Sequence, residues 1–298
     1  QSAAGHFWMN QVDLSPAAFQ DYRQTLTLHD ATLTTRYRYL DHGRVTAVEV
    51  TTFVSQASSH LAATRLSITP DFDGEVELSF ALNTWAPHQP RFALGKLIGE
   101  QMQEQVASRN LKLQAIAPAT PDRAALWYHG DTHVLGSNGD AHDLTLRLDG
   151  RAEQGLAMAE AAAIRLPDGV KPSEARFYRS DYRLALNLRV PVRKGITYTF
   201  TKYVAASRAG WGGDAGADLA LAKAARREGF VALLAAHQAA WHQLWQTDIR
   251  IDGDPQAQRI VHSDLYYLLS NSTRDTAWPI GACGLTTGYA GHAFWDSD

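Results

Sequence analysis

Most of the first 207 residues alternate between apolar and polar side chains with a period of two. Stretches such as "TLTTRYRYL" and "RVTAVEVTTFVS" are rich in β-branched and aromatic residues, and short turns such as "DHG" separate them. This pattern is typical of strands that bury one face. About ten strands at this spacing predict a mostly β protein, built on a large antiparallel sandwich. The predicted strands occupy residues 22–30, 32–40, 44–55, 60–70, 75–84, 110–118, 125–131, 143–150, 176–192 and 195–207.

Two segments inside this region carry signals of their own. The stretch "SNGD" at residues 137–140 predicts a hairpin turn, because Asn-Gly tolerates the positive φ angles of a tight turn. The stretch "GKLIGEQMQEQVAS" at residues 95–108 departs from the alternation and fits either a short helix or a loop.

The period changes after "AGWGGDAGAD" at residues 209–218. Four glycines in ten residues are typical of a linker. Beyond this linker, apolar residues recur at intervals of three and four, which predicts one helix from about residue 218 to residue 246. The residues that share its apolar face are Phe230, Leu233, Leu234, His237, Trp241, Leu244 and Trp245. His237 and Trp241 are therefore expected to pack, with the ring nitrogens hydrogen-bonded, rather than to act in catalysis.

A second helix is predicted to follow a short extended piece at residues 248–252. Asp254 fits its N-cap, and Pro255 fits its first turn because the missing N–H would have no partner there. One helix with an apolar stripe cannot form a domain alone. The stripe must either pack on the sandwich or mark the beginning of a helical domain. The chain thus divides into a β-sandwich (residues 1–207), a glycine-rich linker with its helix (208–247) and a helical region (248–298).

Composition and charge exclude several function classes. Apolar residues make up 45% of the chain and charged residues 20%, with a net charge of −3 and a pI near 6.5. A nucleic-acid partner would require a basic face, and a membrane partner a polybasic anchor or a long apolar run. Neither partner is predicted. No signal peptide is predicted from the stretch "QSAAGHFW", and a removed leader and missing earlier residues are both left open. A periplasmic or secreted location is favoured over a cytoplasmic one.

Three acidic or histidine-containing stretches invite a metal interpretation. Residues 70–77 ("PDFDGEVE") and 251–256 ("IDGDPQ") lack the full spacing of a calcium loop, so structural turns are expected. On a strand, His129, Asp131 and His133 would share one face, but no fourth ligand is evident. The sequence therefore predicts no metal site and no cofactor, with the histidine stretch as the open alternative.

The stretch at residues 279–298 combines a loop composition with large aromatic side chains. Its glycines disfavour a regular helix or strand over most of its length. Its large side chains, Tyr289, His292, Phe294 and Trp295, must nevertheless pack or line a pocket. Trp295 stands beside Asp296. An aromatic face can cover the C–H side of a pyranose, and a carboxylate can accept hydrogen bonds from two hydroxyl groups. The chemistry alone leaves a sugar pocket and a buried structural loop equally open.

Ordered motifs in the second half of the chain resemble glycoside hydrolase family 65. They are "AWHQLWQTDIRIDGDPQAQR" (residues 240–259), "YYLLSNS" (266–272) and "GLTTGYAGHAFWDSD" (284–298). The sandwich stretches at residues 19–39 and 50–70 are similar too. The resemblance covers most of the chain. It implies a β-supersandwich, a helical linker and an (α/α)6 barrel, of which residues 248–298 would supply only the first helix and loop. The family cleaves α-glucosides with inversion of configuration.

The resemblance also assigns roles to the loop. Trp295 and Asp296 would hold the glucosyl unit that is transferred, while His292 and Tyr289 would shape or support the loop. The general acid would be a glutamate beyond Asp298, so no catalytic residue is expected in this chain. Asp296 and Asp298 could in principle form the carboxyl pair of an inverting enzyme. The motif favours binding for Asp296 and a supporting role for Asp298.

The ending "FWDSD" favours the hydrolase branch, because phosphorylases of this family typically read F-W-D-T-E. The expected activity is hydrolysis of a small α-glucosyl disaccharide or glycoconjugate. The alternatives are a phosphorylase that transfers glucosyl to phosphate and a sandwich module that binds carbohydrate or a partner without catalysis. The expected partners are an α-glucoside and the remainder of the barrel, as another segment or another chain, and a homodimer is one option for assembly. The chain alone is expected to be inactive.

Overall fold

A computed structural model describes residues 16–83, 132–152, 157–180, 183–208 and 217–271. Over these residues the strands form two antiparallel sheets, and three helices follow them. The predicted fold class, a mostly β antiparallel sandwich, is confirmed. The strands are β1 (Phe19–Thr27), β2 (Thr32–Asp41), β3 (Arg44–Val54), β4 (Leu61–Pro70), β5 (Gly74–Asn83), β6 (Thr132–Asp140), β7 (Thr145–Ala152), β8 (Ala157–Arg165), β9 (Glu174–Arg179), β10 (Arg183–Val192) and β11 (Tyr198–Arg208).

The two sheets differ in size. The larger sheet has eight described strands in the order β1-β2-β3-β4-β11-β8-β7-β6, and the smaller has three in the order β5-β10-β9. The core lies between them, where the inward-facing side chains of each strand alternate with outward-facing ones. The buried members of this core are Val48, Ile68, Phe80, Leu82, Leu146, Leu148, Ala162, Ile164, Leu184, Leu186, Leu188, Val190, Val192, Tyr198 and Phe200.

Two helices cover the outer face of the larger sheet. They are α1 (Asp218–Glu228) and α2 (Phe230–Leu244), and a third helix, α3 (Pro255–Asn271), follows them. Under α1 the fully buried residues of the contact are all alanines: Ala161, Ala163, Ala205 and Ala222. A neighbouring cluster joins α1 and α2 to the sheet through Phe53, Leu61, Ala63, Tyr203, Ala225, Phe230 and Leu233. Part of the sheet is therefore buried on both faces.

Burial on both faces explains a strand that the sequence pattern did not predict. β8 reads "AMAEAAAIR", which is rich in alanine and lacks a polar face. Alanine is a poor strand former but a good helix former. The strand forms because Ala159, Ala161 and Ala163 face the helices, while Ala162 and Ile164 face the other sheet. Tertiary packing overrides local propensity here.

The linker helix predicted over residues 218–246 is interrupted, so the prediction of one helix is wrong. Gly229 separates α1 from α2 with φ 92° and ψ 157°, a conformation that a side-chain-bearing residue rarely adopts. Its N–H still donates to the carbonyl oxygen of Ala225 at 2.9 Å. The apolar face continues across the break because α2 begins directly at Phe230, which is buried.

Two details of the predicted strands differ in the structure: one predicted strand is divided, and one predicted turn lies elsewhere. Residues 176–192 form two strands, β9 and β10, rather than one. The predicted turn at residues 137–140 lies inside β6, and the chain turns at residues 141–144 instead. Asp140 fixes this turn, because its Oδ1 accepts the backbone N–H groups of His142 and Asp143 at 2.8 and 2.9 Å. Gly139 serves close packing, since a Cβ there would overlap the ring of Phe177.

The start of α3 agrees with the prediction. Oδ1 of Asp254 accepts hydrogen bonds from the N–H groups of Gln256 and Ala257, both at 2.9 Å, and Pro255 opens the helix. The described residues 248–252 form no strand, and Asp248 has an extended backbone conformation. None of the helices that the structure describes is long and apolar enough to cross a membrane. The predicted strands at 110–118 and 125–131 and the segment 95–108 lie outside the described residues.

Candidate functional site

The loop residues predicted to bind sugar lie outside the part of the chain that the structure describes. They are Tyr289, His292, Trp295 and Asp296. Their roles therefore stay predictions. The same holds for the alternative metal stretch, because His129, Asp131 and the side chain of His133 are also outside. What the structure does describe is the scaffold that leads from the sandwich into α3.

His237 joins α2 to the end of the sandwich. Its ring is fully shielded from solvent, and both nitrogens have partners from the sandwich. Nδ1 accepts the backbone N–H of Gln56 at 3.0 Å, and Nε2 faces the carbonyl oxygen of Asp30 at 2.9 Å. Since Nδ1 must be unprotonated to accept, Nε2 carries the proton and donates it. Burial lowers the pKa of His237 despite the two carbonyl groups beside Nε2. The predicted packing role is confirmed.

The two tryptophans of this helix region reach α3. Trp241 stacks on Tyr266 with 5.4 Å between ring centroids, and Trp245 meets His262 edge-on at 5.5 Å. His262 Nε2 lies 2.8 Å from Oδ1 of Asp248. The apolar face predicted for the linker helix therefore contacts both the sandwich and the next helix.

The side chain of Gln258 secures the segment that enters α3. Its Nε2 donates to the carbonyl oxygen of Ile249 at 2.9 Å, and its Oε1 accepts the N–H of Ile251 at 2.6 Å. The backbone before the helix is thus held by the first turn of the helix itself.

Three potential metal ligands meet where α2 crosses the β1–β2 turn. The ligand atoms of His29, Asp30 and His242 all lie within 4.8 Å of one another. Both histidines are exposed, whereas Asp30 is partly buried. The sequence patterns missed this group because His29 and His242 lie on different elements, and no spacing rule connects them. The only local signal was a histidine beside an aspartate in a turn.

A groove of about 660 Å³ opens between the inner faces of β2–β4 and β5, the last strand on one side of the smaller sheet among the described residues. Its walls combine aromatic rings with charged groups, among them Tyr37, Phe72 and Glu77. Glu77 Oε1 accepts from Arg189 Nη2 at 2.6 Å, while its Oε2 is buried without a hydrogen-bond partner among the described residues. Burial, and secondarily the neighbouring Tyr39, raises the pKa of Tyr37. The groove offers aromatic ring faces and charged side chains to a ligand.

The acidic turns considered as calcium loops are structural, as predicted. Oδ1 of Asp71 accepts the N–H of Val45 at 2.8 Å, and Oδ1 of Asp73 accepts the N–H of Lys194 at 2.9 Å. Asp254 caps α3 as described above. Each of these carboxylates thus holds a neighbouring backbone segment.

Comparison with known proteins identifies a family. The family model described as "Glycosyl hydrolase family 65, N-terminal domain" matches residues 7–244. A kojibiose hydrolase from Mucilaginibacter mallensis is 53% identical over 75 residues, which cover 25% of this chain and 11% of that protein. A kojibiose phosphorylase from Caldanaerobacter subterraneus subsp. tengcongensis is 38% identical over 73 residues, covering 24% and 10%. The matched segments therefore span about a tenth of these relatives.

A solved structure extends the similarity to the fold. A human-microbiome protein assigned as a kojibiose phosphorylase superposes with a TM-score of 0.70 at 17% identity. The superposition covers 96% of this chain and 33% of that protein. At this identity the likeness concerns the fold alone.

Proposed function

Because the chain belongs to glycosyl hydrolase family 65 through its N-terminal domain, we propose that the protein containing it is an inverting α-glucoside-cleaving enzyme. Within that family we propose a hydrolase that acts on a small α-glucosyl disaccharide or glycoconjugate. The alternative is a phosphorylase that transfers the glucosyl unit to inorganic phosphate.

One observation carries the preference for hydrolysis. The identity to the kojibiose hydrolase is 53%, compared with 38% to the kojibiose phosphorylase, over segments of similar length. The ending "FWDSD" supports the same preference. Kojibiose is accordingly the first substrate to test, and trehalose the second, since a trehalose phosphorylase is also among the relatives.

The proposed division of labour separates binding from proton transfer. Trp295 would cover the apolar face of the glucosyl ring, and Asp296 would accept hydrogen bonds from its hydroxyl groups. An inverting hydrolase also needs a carboxylic acid on the leaving oxygen and a carboxylate that activates water on the opposite face. We propose that both belong to the remainder of the barrel. The described scaffold contributes by holding α3 against Trp241 and Trp245, which lie in and directly after the linker helix that packs on the sandwich.

Phosphate dependence separates the two enzyme candidates. The complete protein would be incubated with kojibiose and with trehalose, with and without inorganic phosphate, and the first product followed by proton NMR. We expect β-glucose at the same rate in both conditions, because water is the acceptor and the configuration inverts. Strictly phosphate-dependent release of β-glucose 1-phosphate would overturn the hydrolase proposal and support the phosphorylase.

The roles of the loop residues need a separate test. In the complete protein, Trp295→Ala and Asp296→Asn are expected to lower kcat/KM about 10- to 100-fold, the effect of losing a charge-assisted hydrogen bond or a stacked ring. Asp298→Asn is the matched control and should change kcat/KM less, because the motif gives Asp298 a supporting role. Equal losses at Asp296 and Asp298 would contradict the assignment.

The groove beside β5 favours a second candidate function, a sandwich module that binds carbohydrate and does not catalyse a reaction. Aromatic ring faces and charged side chains, which line the groove, are groups that sugars contact. NMR titration of the chain with kojibiose would show shifts near Tyr37 that Tyr37→Ala abolishes. Tyr267→Ala is the control, since this tyrosine is 56% exposed on α3, away from the groove. No shift in the unsubstituted chain would exclude this candidate.

A further inference from the structure

We propose that His29, Asp30 and His242 form a binding site for a divalent transition metal such as Zn²⁺, at the point where the β1–β2 turn meets α2. Two imidazoles and one carboxylate are a donor set that Zn²⁺ accepts. Three protein ligands also leave a fourth tetrahedral position for water or another ligand.

The two distances to Asp30 lie on either side of the separation that ligands have in a tetrahedral site, so one pair would separate slightly and the other would approach. His242 Nε2 lies 2.8 Å from Asp30 Oδ1, and His29 Nδ1 lies 3.9 Å from the same oxygen. Ligands bound at about 2.0–2.1 Å in a tetrahedron stand roughly 3.3 Å apart. Because His29 is 61% exposed, its side chain is free to move the remaining distance.

The backbone that carries His29 and Asp30 is held by hydrogen bonds from the linker-helix region. Buried His237 donates to the carbonyl oxygen of Asp30, and Trp245 Nε1 donates to that of Leu28 at 3.3 Å. The ring of Trp245 also stacks on His29, with 5.9 Å between centroids. Groups that hold the ligand-bearing segment in place reduce the reorganisation that metal binding requires.

The second imidazole distinguishes this cluster from ordinary histidine–aspartate pairs. His42 with Asp41 and His262 with Asp248 each bring one ring to one carboxylate. In the proposed site the rings of His29 and His242 approach to 4.2 Å between centroids beside a shared carboxylate. A bound cation would be a ligand partner shared by all three side chains. It would link His29, in the β1–β2 turn, to His242, in α2.

Calorimetric titration of the chelator-treated chain with ZnCl2 tests the proposal. We expect one equivalent to bind saturably, and His29→Gln and His242→Gln each to weaken the affinity about tenfold or more. His42→Gln is the matched control, because it removes an exposed histidine that also faces an aspartate, and it should leave the affinity unchanged. Circular dichroism would verify that each variant is folded.

Co²⁺ gives a readout that depends on coordination rather than on stability. The chain with one equivalent of Co²⁺ should develop visible absorption bands of a low-coordinate site, and His29→Gln should alter or abolish them. Should His242→Gln fail to fold, His29→Gln decides, since its exposed side chain carries little packing. Absence of one-equivalent binding, or unchanged Zn²⁺ affinity and Co²⁺ spectrum in His29→Gln, would overturn the proposal.

Discussion

The backbone N–H of Gln56 donates a hydrogen bond to Nδ1 of His237 across 3.0 Å. Gln56 lies in the connection between β3 and β4, and His237 lies in the middle of α2. The bond therefore ties the linker helix to the end of the sandwich. It also requires a neutral imidazole, because protonated Nδ1 could not accept it.

Protonation of His237 should destabilise the fold. Burial lowers its pKa in the folded state, whereas the unfolded chain titrates near the ordinary value of about 6.5. As the pH falls below about 6.5, the unfolded state takes up the proton first, so the free energy of unfolding decreases. His237→Gln should be less stable than the parent at pH 8 and should lose less stability between pH 8 and pH 5. Urea unfolding at several pH values measures both effects.

The matched control for this experiment is His42→Gln, whose histidine is 90% exposed. It should reproduce the pH dependence of the parent chain. A His237→Gln profile that runs parallel to the parent profile would show that His237 does not titrate with folding.

The alanine contact under α1 should not tolerate a larger side chain. Ala222 is fully buried against Ala161, Ala163 and Ala205. Ala222→Leu inserts three carbon atoms into this contact and should lower the free energy of unfolding by about 1–3 kcal/mol. Ala220→Leu is the control, since this residue is exposed on the same helix, and its effect should stay within about 0.5 kcal/mol. Equal effects in chemical denaturation would contradict the tight packing.

Close approach of the two sheets explains the glycine in β6. A Cβ at position 139 would overlap the ring of Phe177, so Gly139→Ala should destabilise the chain. Phe177→Leu in the same chain should recover part of the loss, because a smaller side chain leaves room for the methyl group. Gly136→Ala is the control in the same strand, where the added Cβ would find its nearest neighbour at 3.5 Å. Additive losses in the double variant, measured by thermal unfolding, would argue against the overlap.

Most of the sandwich could be predicted because its strands bury one face. In β2 and β3 apolar and polar residues alternate, and this alternation predicted both strands. β8 was not predicted because burial on both faces removes the alternation. Its alanines are small enough for α1 to pack closely on the strand. The Asn-Gly pair led to a turn predicted in the wrong place. Glycine is required at position 139 by the ring of Phe177, which is distant in sequence, and not by a turn. In each case a long-range contact set the residue type.

The same distinction applies to sites. The cap at Asp254 is local, and the sequence located it correctly. The group of His29, Asp30 and His242 depends on the fold bringing α2 onto the β1–β2 turn, so periodicity could not find it. The break at Gly229 belongs with these features, because residues on both sides of it, Ala225 and Phe230, pack in one cluster with the sandwich.

Asp143 ties α1 to the β6–β7 turn and should stabilise the fold only while it is charged. Its carboxylate contacts Lys223 Nζ at 2.5 Å and Arg226 Nη2 at 2.8 Å, and these two partners, Lys223 first, lower its pKa. Stability from this group is present above the unfolded pKa of about 3.9 and is lost as the pH falls through the folded pKa. Asp143→Asn should therefore lower the free energy of unfolding by roughly 0.5–1 kcal/mol at pH 7, the scale of partly exposed pairs.

The difference between Asp143→Asn and the parent should shrink as the pH falls below about 3.9, because the unfolded parent chain takes up the proton first. Asp168→Asn is the matched control, because Asp168 is 93% exposed and meets a single arginine at 3.4 Å. Screening by solvent makes such a pair contribute little, so this variant should follow the parent at every pH. Urea unfolding at pH 7 and near pH 3 distinguishes the two variants. A pH-independent difference for Asp143→Asn would mean that the turn needs the shape of the side chain rather than its charge.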